Sequence, residues 1–151
     1  MNEFDKWLQK FQHLCSKKEY CCSELLEKLD KTMLTKLEKQ KLIDSLKKDG
    51  YVNEERYIQA FVHDKLKLNK WGKQKIRYAL LSKKLDEKLV DKILNEVMSE
   101  QEYIHLFLPI ARTKWTSIKA DNEFSKKNKL IQYLRQKGLE YSIIEKILDK
   151  L

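Results

Sequence analysis

Side chains capable of catalysis are present, but they do not lie at the spacings that catalytic or metal sites require. The histidines, His13, His63 and His105, fall on separate predicted helices, and none has a carboxylate or cysteine at ligand spacing. The chain lacks a glycine-rich phosphate loop, a Gly-x-Ser-x-Gly motif and a His-Glu-x-x-His motif. These observations predict a protein that is not an enzyme and uses no cofactor or metal.

The cysteines, Cys15, Cys21 and Cys22, favour a reduced protein. Their number is odd and no Cys-x-x-Cys pair occurs, so neither a disulfide framework nor a zinc site is indicated. Cys21 and Cys22 lie at a predicted helix start, where the helix N-terminus and nearby lysines could lower a thiol pKa. Packing in the core is the favoured interpretation, because free cysteine usually behaves as a small apolar residue.

The cationic residues form two long runs that fit a polyanionic partner. The first run occupies residues 65–84 and contains no acidic residue; it includes Trp71 and Tyr78, and its cations are Lys65, Lys67, Lys70, Lys73, Lys75, Arg77, Lys83 and Lys84. Lysines with interspersed aromatic rings suit phosphates and exposed bases. At about 100° per residue, Lys73, Arg77 and Lys84 would form one stripe on a helix. The alternative is that Trp71 packs in the core and the lysines merely surround it. Core packing is the favoured interpretation for Trp71, whereas a binding role is favoured for the run of cations.

The second run follows in the last third of the chain, where only Asp121 and Glu123 oppose it. Its cations are Arg112, Lys114, Lys119, Lys126, Lys127, Lys129, Arg135 and Lys137. The net charge is +8 over residues 61–151 but only +1 over residues 1–60. This asymmetry predicts that the second half contacts a polyanion or an acidic protein surface.

The composition predicts an all-α protein. Three glycines and one proline among 151 residues leave few residues for the turns of a sheet. The longest apolar stretch, residues 104–111, is interrupted by His105 and Pro109. It is too short for a membrane span, and no N-terminal signal segment is recognisable. We therefore expect a cytoplasmic protein that makes no membrane contact.

Internal repeats organise the chain. At an offset of 54 residues, the apolar positions of residues 76–94 coincide with those of residues 130–148, and at offsets of 51 and 47 they coincide with those of residues 25–46. Tyr57 and Ile58 precede Tyr103 and Ile104 by 46 residues. The pattern predicts three repeats, 1–48, 49–97 and 98–151, of three helices each, forming an elongated and curved body.

The predicted helices have the following bounds: 3–16, 20–31, 36–48, 53–68, 71–84, 86–97, 99–117, 122–137 and 140–150. Local chemistry supports several ends: Asn53 caps a helix, whereas Asp49-Gly50 and Gly138 each end one. Pro109 is expected to kink or split the seventh helix, because it lacks a backbone donor.

Two stretches carry a family resemblance. Residues 49–62, DGYVNEERYIQAFV, followed by residues 70–77, KWGKQKIR, and by residues 80–85, resemble the signature of the RecX family of RecA regulators. Residues 20–29, YCCSELLEKL, resemble the first Ser-x-x-Glu-Leu-type helix of that family. The resemblance covers residues 15–97 directly and the remainder through the repeat pattern.

The resemblance implies tandem three-helix repeats and a defined role. A RecX-like protein would bind RecA, lie along the groove of the RecA filament on single-stranded DNA, and limit recombination, ATP hydrolysis and co-protease action. Contact with DNA phosphates would be weak or indirect, and the protein would act as a monomer. Two alternatives remain open from the sequence: a helix-turn-helix regulator that reads duplex DNA, and a helical adaptor that binds protein without nucleic acid.

Overall fold

The computed structural model describes residues 2–151, which form nine α-helices and no strand. The prediction of an all-α repeat protein is confirmed. The helices are α1 Glu3–Lys17, α2 Cys22–Leu29, α3 Lys36–Lys48, α4 Glu54–Lys67, α5 Lys73–Leu81, α6 Glu87–Glu96, α7 Glu100–Ser117, α8 Glu123–Gln136 and α9 Tyr141–Leu148.

Short polar side chains begin most of these helices. The Asn53 side chain accepts a hydrogen bond from the Arg56 amide at 2.9 Å, so the predicted cap of α4 is confirmed. Ser99 and Glu102 form a reciprocal capping box at the start of α7, and Thr35 starts α3 in the same way. These caps stabilise helix starts that the apolar pattern alone places only approximately.

The helices pack in threes. We call α1–α3 repeat 1, α4–α6 repeat 2 and α7–α9 repeat 3, because the main helix contacts lie within these groups. Repeat 1 has an apolar core of its own, whereas repeats 2 and 3 share a second core to which only Cys21 of repeat 1 belongs. The accessible surface is 9825 Å², against about 8,100 Å² for a compact monomer of 18.2 kDa. The larger value fits an extended body.

Charged and polar side chains connect repeat 1 to repeat 2. We call this contact the first joint. Arg56 binds Glu19 at 2.5 Å, and Glu24 accepts hydrogen bonds from both the Tyr57 hydroxyl and the Lys83 ammonium at 3.2 Å. Burial opposes the ionisation of Glu24, but the Cys21 amide and the Lys83 ammonium outweigh it, so the pKa of Glu24 lies below its usual value.

Backbone groups connect repeat 2 to repeat 3, and we call this contact the second joint. The Gly72 amide donates to the Lys137 carbonyl at 2.6 Å, and the Gln74 amide donates to the Gly138 carbonyl at 2.9 Å. A Cβ atom at Gly72 would lie 2.3 Å from the Gly138 carbonyl carbon. The two backbone segments can approach this closely only because both positions, 72 and 138, are glycine.

Three sequence predictions need correction. The fifth helix ends at Leu81 rather than residue 84, since Lys84 adopts a left-handed conformation with φ 62° at the position where repeat 3 has Gly138. Pro109 does not split α7, which is continuous and anchored by the buried residues Phe107 and Ala111 on either side; a kink, the other expected effect of this proline, stays a prediction. Burial raises the thiol pKa of Cys21, so the alternative of a lowered pKa there is wrong.

Candidate nucleoprotein interface

The first basic run is centred on a half-buried tryptophan. Trp71 packs against the shared core, as the favoured interpretation predicts, and its amide donates to the Lys65 carbonyl at 2.8 Å. The ammonium groups of Lys65 and Lys75 lie 4.7 and 4.4 Å from the centre of the Trp71 ring system, and Lys65 also lies 5.4 Å from the Phe61 ring centre. The cations are therefore organised around aromatic faces.

The second basic run has the same organisation. The ammonium groups of Lys114 and Lys137 lie 4.7 and 5.6 Å from the centre of the Tyr133 ring. Lys126 lies 4.3 Å from the ring centre of Trp115, the residue that follows Lys114 on α7. Helices α7 and α8 thus present two further rings with lysines above them.

The second joint brings the two runs together. Trp71 immediately precedes Gly72, whose amide is bonded to the Lys137 carbonyl, and Lys75 packs against Gly138. The backbone segments next to Trp71 and Tyr133 consequently lie close together where repeat 2 meets repeat 3.

Lys73 takes part in the second joint rather than in an open stripe. Its amide donates to the Tyr103 hydroxyl at 2.8 Å, which in turn donates to Glu140 at 3.3 Å, and its ammonium lies 4.8 Å from the Tyr103 ring centre. Burial lowers the pKa of Lys73, although Glu140 and Glu100 partly offset it. Burial likewise raises the pKa of Glu140 above its usual value.

The predicted stripe of Lys73, Arg77 and Lys84 is wrong in its geometry. Arg77 binds Asp91 at 2.7 Å and Glu87 at 2.5 Å, so its charge is used within repeat 2. Lys84 lies beyond the end of α5 and faces a groove formed by α2 and α3 of repeat 1. The three cations therefore have three different surroundings, and the binding roles predicted for Arg77 and Lys84 gain no support from their positions.

The other predicted cations lie at the surface of repeats 2 and 3. Lys67, Lys127 and Arg135 are exposed, and Lys70 is half-buried in the turn before Trp71. Two exposed cations also donate to carbonyls: Arg112 to Lys150 at 3.2 Å, and Lys129 to Lys119 at 2.9 Å. Their roles in binding stay predictions.

Sequence reasoning missed the rings of Phe61, Trp115 and Tyr133. A simple pattern could have found two of them, because a lysine follows the aromatic residue by four positions in Phe61/Lys65 and Tyr133/Lys137, as it does in Trp71/Lys75. Side chains four residues apart lie on the same helix face. The contacts of Trp115 with Lys126 and of Tyr133 with Lys114 join different helices and leave no such local pattern.

Comparisons with known proteins bear on the same region. A sequence model described as RecX, second three-helix domain, matches residues 53–94, and one described as RecX, third three-helix domain, matches residues 101–148. The chain belongs to the RecX family. Both clusters of rings and lysines in this family member fall within the matched segments.

Individual relatives agree with this assignment. The chain is 28% identical over 112 residues to the regulatory protein RecX of Clostridioides difficile, covering 74% of this chain and 52% of that protein. It is 25% identical over 138 residues to the regulatory protein RecX of Chlorobium phaeobacteroides, covering 91% and 88%. The chain spans about half the length of the first of these relatives. Both names describe regulatory proteins.

The fold is also that of a solved RecX structure. The crystal structure of RecX from Lactobacillus salivarius superposes with a TM-score of 0.88 at 20% identity, covering 98% of this chain and 96% of that one. In residues 2–151 no three His, Cys, Asp or Glu side chains form a potential metal site. Within the same residues no helix is long and apolar enough to cross a membrane.

Proposed function

We propose that this chain binds RecA and its filament on single-stranded DNA and inhibits the recombinase, ATPase and co-protease activities. The observation that carries the proposal is the cationic surface across repeats 2 and 3, which lies in the segments that match RecX domains. A nucleoprotein filament is a polyanion with acidic protein surfaces, and both attract such a surface at long range.

The proposed mode of action is binding rather than catalysis. The chain acts as a monomer without a cofactor, and its extended body makes contacts over two successive repeats. A duplex-reading role for α6 is less well supported, because Glu87 and Asp91 on this helix hold Arg77 and would repel DNA phosphates.

The decisive experiment is a titration of the protein into RecA that hydrolyses ATP on single-stranded DNA, at two salt concentrations. Inhibition at fewer protein molecules than RecA monomers is expected, with weaker inhibition at high salt because exposed charges are screened. Inhibition only after the DNA is saturated with the protein, or no inhibition at all, would contradict the proposal.

Charge variants locate the interface. Replacement of the exposed cations Lys67, Lys127 and Arg135 by alanine should weaken inhibition at low salt. The matched control removes three exposed lysines of repeat 1, namely Lys31, Lys41 and Lys48. Equal loss of inhibition in both triple variants would show that net charge alone matters and that repeats 2 and 3 hold no specific interface.

A further inference from the structure

Aromatic rings with lysines above them mark a path through repeats 2 and 3. We call this path the aromatic–lysine strip; its rings are Phe61, Trp71, Tyr133 and Trp115, and its lysines are Lys65, Lys75, Lys137, Lys114 and Lys126. Lysine–ring contacts also occur in repeat 1, where Lys10 lies over Trp7 and both Lys18 and Lys28 lie over Tyr20. The strip differs from these contacts because its rings lie within the two cationic runs of repeats 2 and 3.

The second joint holds the two halves of the strip together. In repeat 2, Lys65 reaches both Phe61 and Trp71, and in repeat 3 Lys114 covers Tyr133 while Lys126 covers Trp115. Between these halves, the backbone bond from Gly72 to Lys137 fixes Trp71 beside the end of α8. Backbone contacts rather than a flexible linker therefore join the two halves, which favours a ligand that spans both repeats.

The rings form firm platforms. Phe61, Trp71, Tyr133 and Trp115 are each partly buried, with one side packed on the shared core. Their positions are consequently fixed by packing, whereas the lysines that cover them have long, flexible stems. Half-buried rings whose lysines can move aside suit a planar ligand that stacks between the ring and the ammonium group.

The covering lysines can be displaced. An exposed cation–π contact contributes only about two- to fivefold to an equilibrium, whereas stacking of a base on an aromatic side chain contributes about 5- to 150-fold. A base therefore outcompetes an ammonium for the ring. The displaced ammonium remains beside the base, where the flanking phosphates of a nucleotide chain lie.

We propose that the aromatic–lysine strip binds single-stranded nucleic acid directly, with bases stacked on Trp71, Tyr133 and Trp115 and phosphates bound by the intervening lysines. The inference rests on the proposed function in one respect, namely that the RecA filament supplies the single strand. Direct contact with the bases is the new element. Duplex DNA is a poorer ligand, because its bases are already stacked. An acidic protein segment would pair with the lysines but would leave the rings without planar partners.

The chain contains its own spectroscopic control. Trp71 and Trp115 lie in the strip, whereas Trp7 lies on α1 and donates to Glu3. We would compare three variants that retain one tryptophan each, the other two being replaced by phenylalanine. A 12-residue oligothymidylate should quench the fluorescence of Trp71 and of Trp115 but leave that of Trp7 unchanged.

The probes separate stacking from charge. Oligouridylate of the same length tests whether RNA is accepted, and inorganic polyphosphate of equal charge provides phosphates without bases. Weak binding and little quenching are expected with polyphosphate. If polyphosphate bound as tightly as oligothymidylate, stacking would be refuted. If poly-glutamate bound more tightly than either oligonucleotide, the strip would be a protein-binding surface and the inference would be wrong.

Substitutions test the same point independently of RecA. Trp71→Leu should weaken oligothymidylate binding about 5- to 150-fold, whereas Trp71→Phe should restore most of it because a ring remains. Tyr133→Leu provides a second test at a separate ring, and Trp7→Leu is the control. Unchanged affinity in both Trp71→Leu and Tyr133→Leu, with thermal unfolding showing folded protein, would overturn the inference. Oligonucleotide binding without inhibition of RecA would instead contradict only the proposed function.

Discussion

Replacement of Gly72 by alanine tests the second joint. The φ of Gly72 is −74°, which every residue adopts, so glycine is needed there for space and not for conformation. An added Cβ would meet the Gly138 carbonyl carbon at 2.3 Å, its oxygen at 2.4 Å and the Leu139 amide nitrogen at 2.5 Å. All three atoms belong to backbone, so the joint must open to admit the methyl group.

The cost follows from the bonds at this joint. Its two backbone hydrogen bonds contribute about 0.5–1.5 kcal/mol each, and overpacking adds about 1–3 kcal/mol. We expect Gly72→Ala to lower the free energy of unfolding by about 3 kcal/mol, a large part of the usual 5–15 kcal/mol. For a chain of this length the melting temperature should fall by about 6–12 °C.

Gly50 supplies the matched control. Its φ is +78°, and nothing lies within 4 Å of an added Cβ. Gly50→Ala should therefore cost only the left-handed strain of about 1 kcal/mol. Thermal unfolding compares the two variants, and hydrogen exchange at the Gly72 and Gln74 amides should accelerate in Gly72→Ala alone. Equal losses in melting temperature, with unchanged exchange, would refute the reasoning.

Four further outcomes are expected. Lys84→Gly should raise the free energy of unfolding by about 1 kcal/mol because it relieves a left-handed lysine, whereas Lys83→Gly should not; urea titration checks both. Glu24→Gln should destabilise the protein at pH 7 but not well below pH 4.5, because the lowered pKa makes its contribution disappear as pH falls. Glu140→Gln should stabilise at pH 7 and lose this gain in acid, because burial disfavours the ionised form; melting curves at several pH values test both signs. Arg77→Ala should leave RecA inhibition unchanged, and a clear loss in the ATPase titration would show that this paired cation contacts the partner.

The repeats and most helices could be predicted because apolar periodicity is a local property. The register that places Ile76 on Leu130 and Leu80 on Leu134 reflects equivalent buried positions in two repeats. The end of α5 could not be predicted, because Lys84 adopts a left-handed conformation that is usual for glycine and that Gly138 adopts at the equivalent position of repeat 3. No glycine or proline marks that end. The predicted stripe of cations was consequently extended to Lys84, which lies beyond the helix.

The candidate interface was predictable only in outline. The two basic runs could be recognised from the high local content of lysine and arginine, and Trp71 could be recognised within the first run. The pairing of Lys114 with Tyr133 depends on how α7 packs against α8, and the use of Arg77 by Asp91 depends on the packing of α5 against α6. Such contacts join residues more than ten positions apart and leave no periodic trace in the sequence.

The two joints give the molecule unequal mechanical stiffness. Ion pairs at the first joint can exchange partners and water with little strain, and their strength falls as salt rises. The second joint resists sliding, because Gly72 and Gly138 interlock through backbone atoms over a shared core. Under a stretching force between the chain termini, we expect repeat 1 to detach first, while repeats 2 and 3 bear the load as one body.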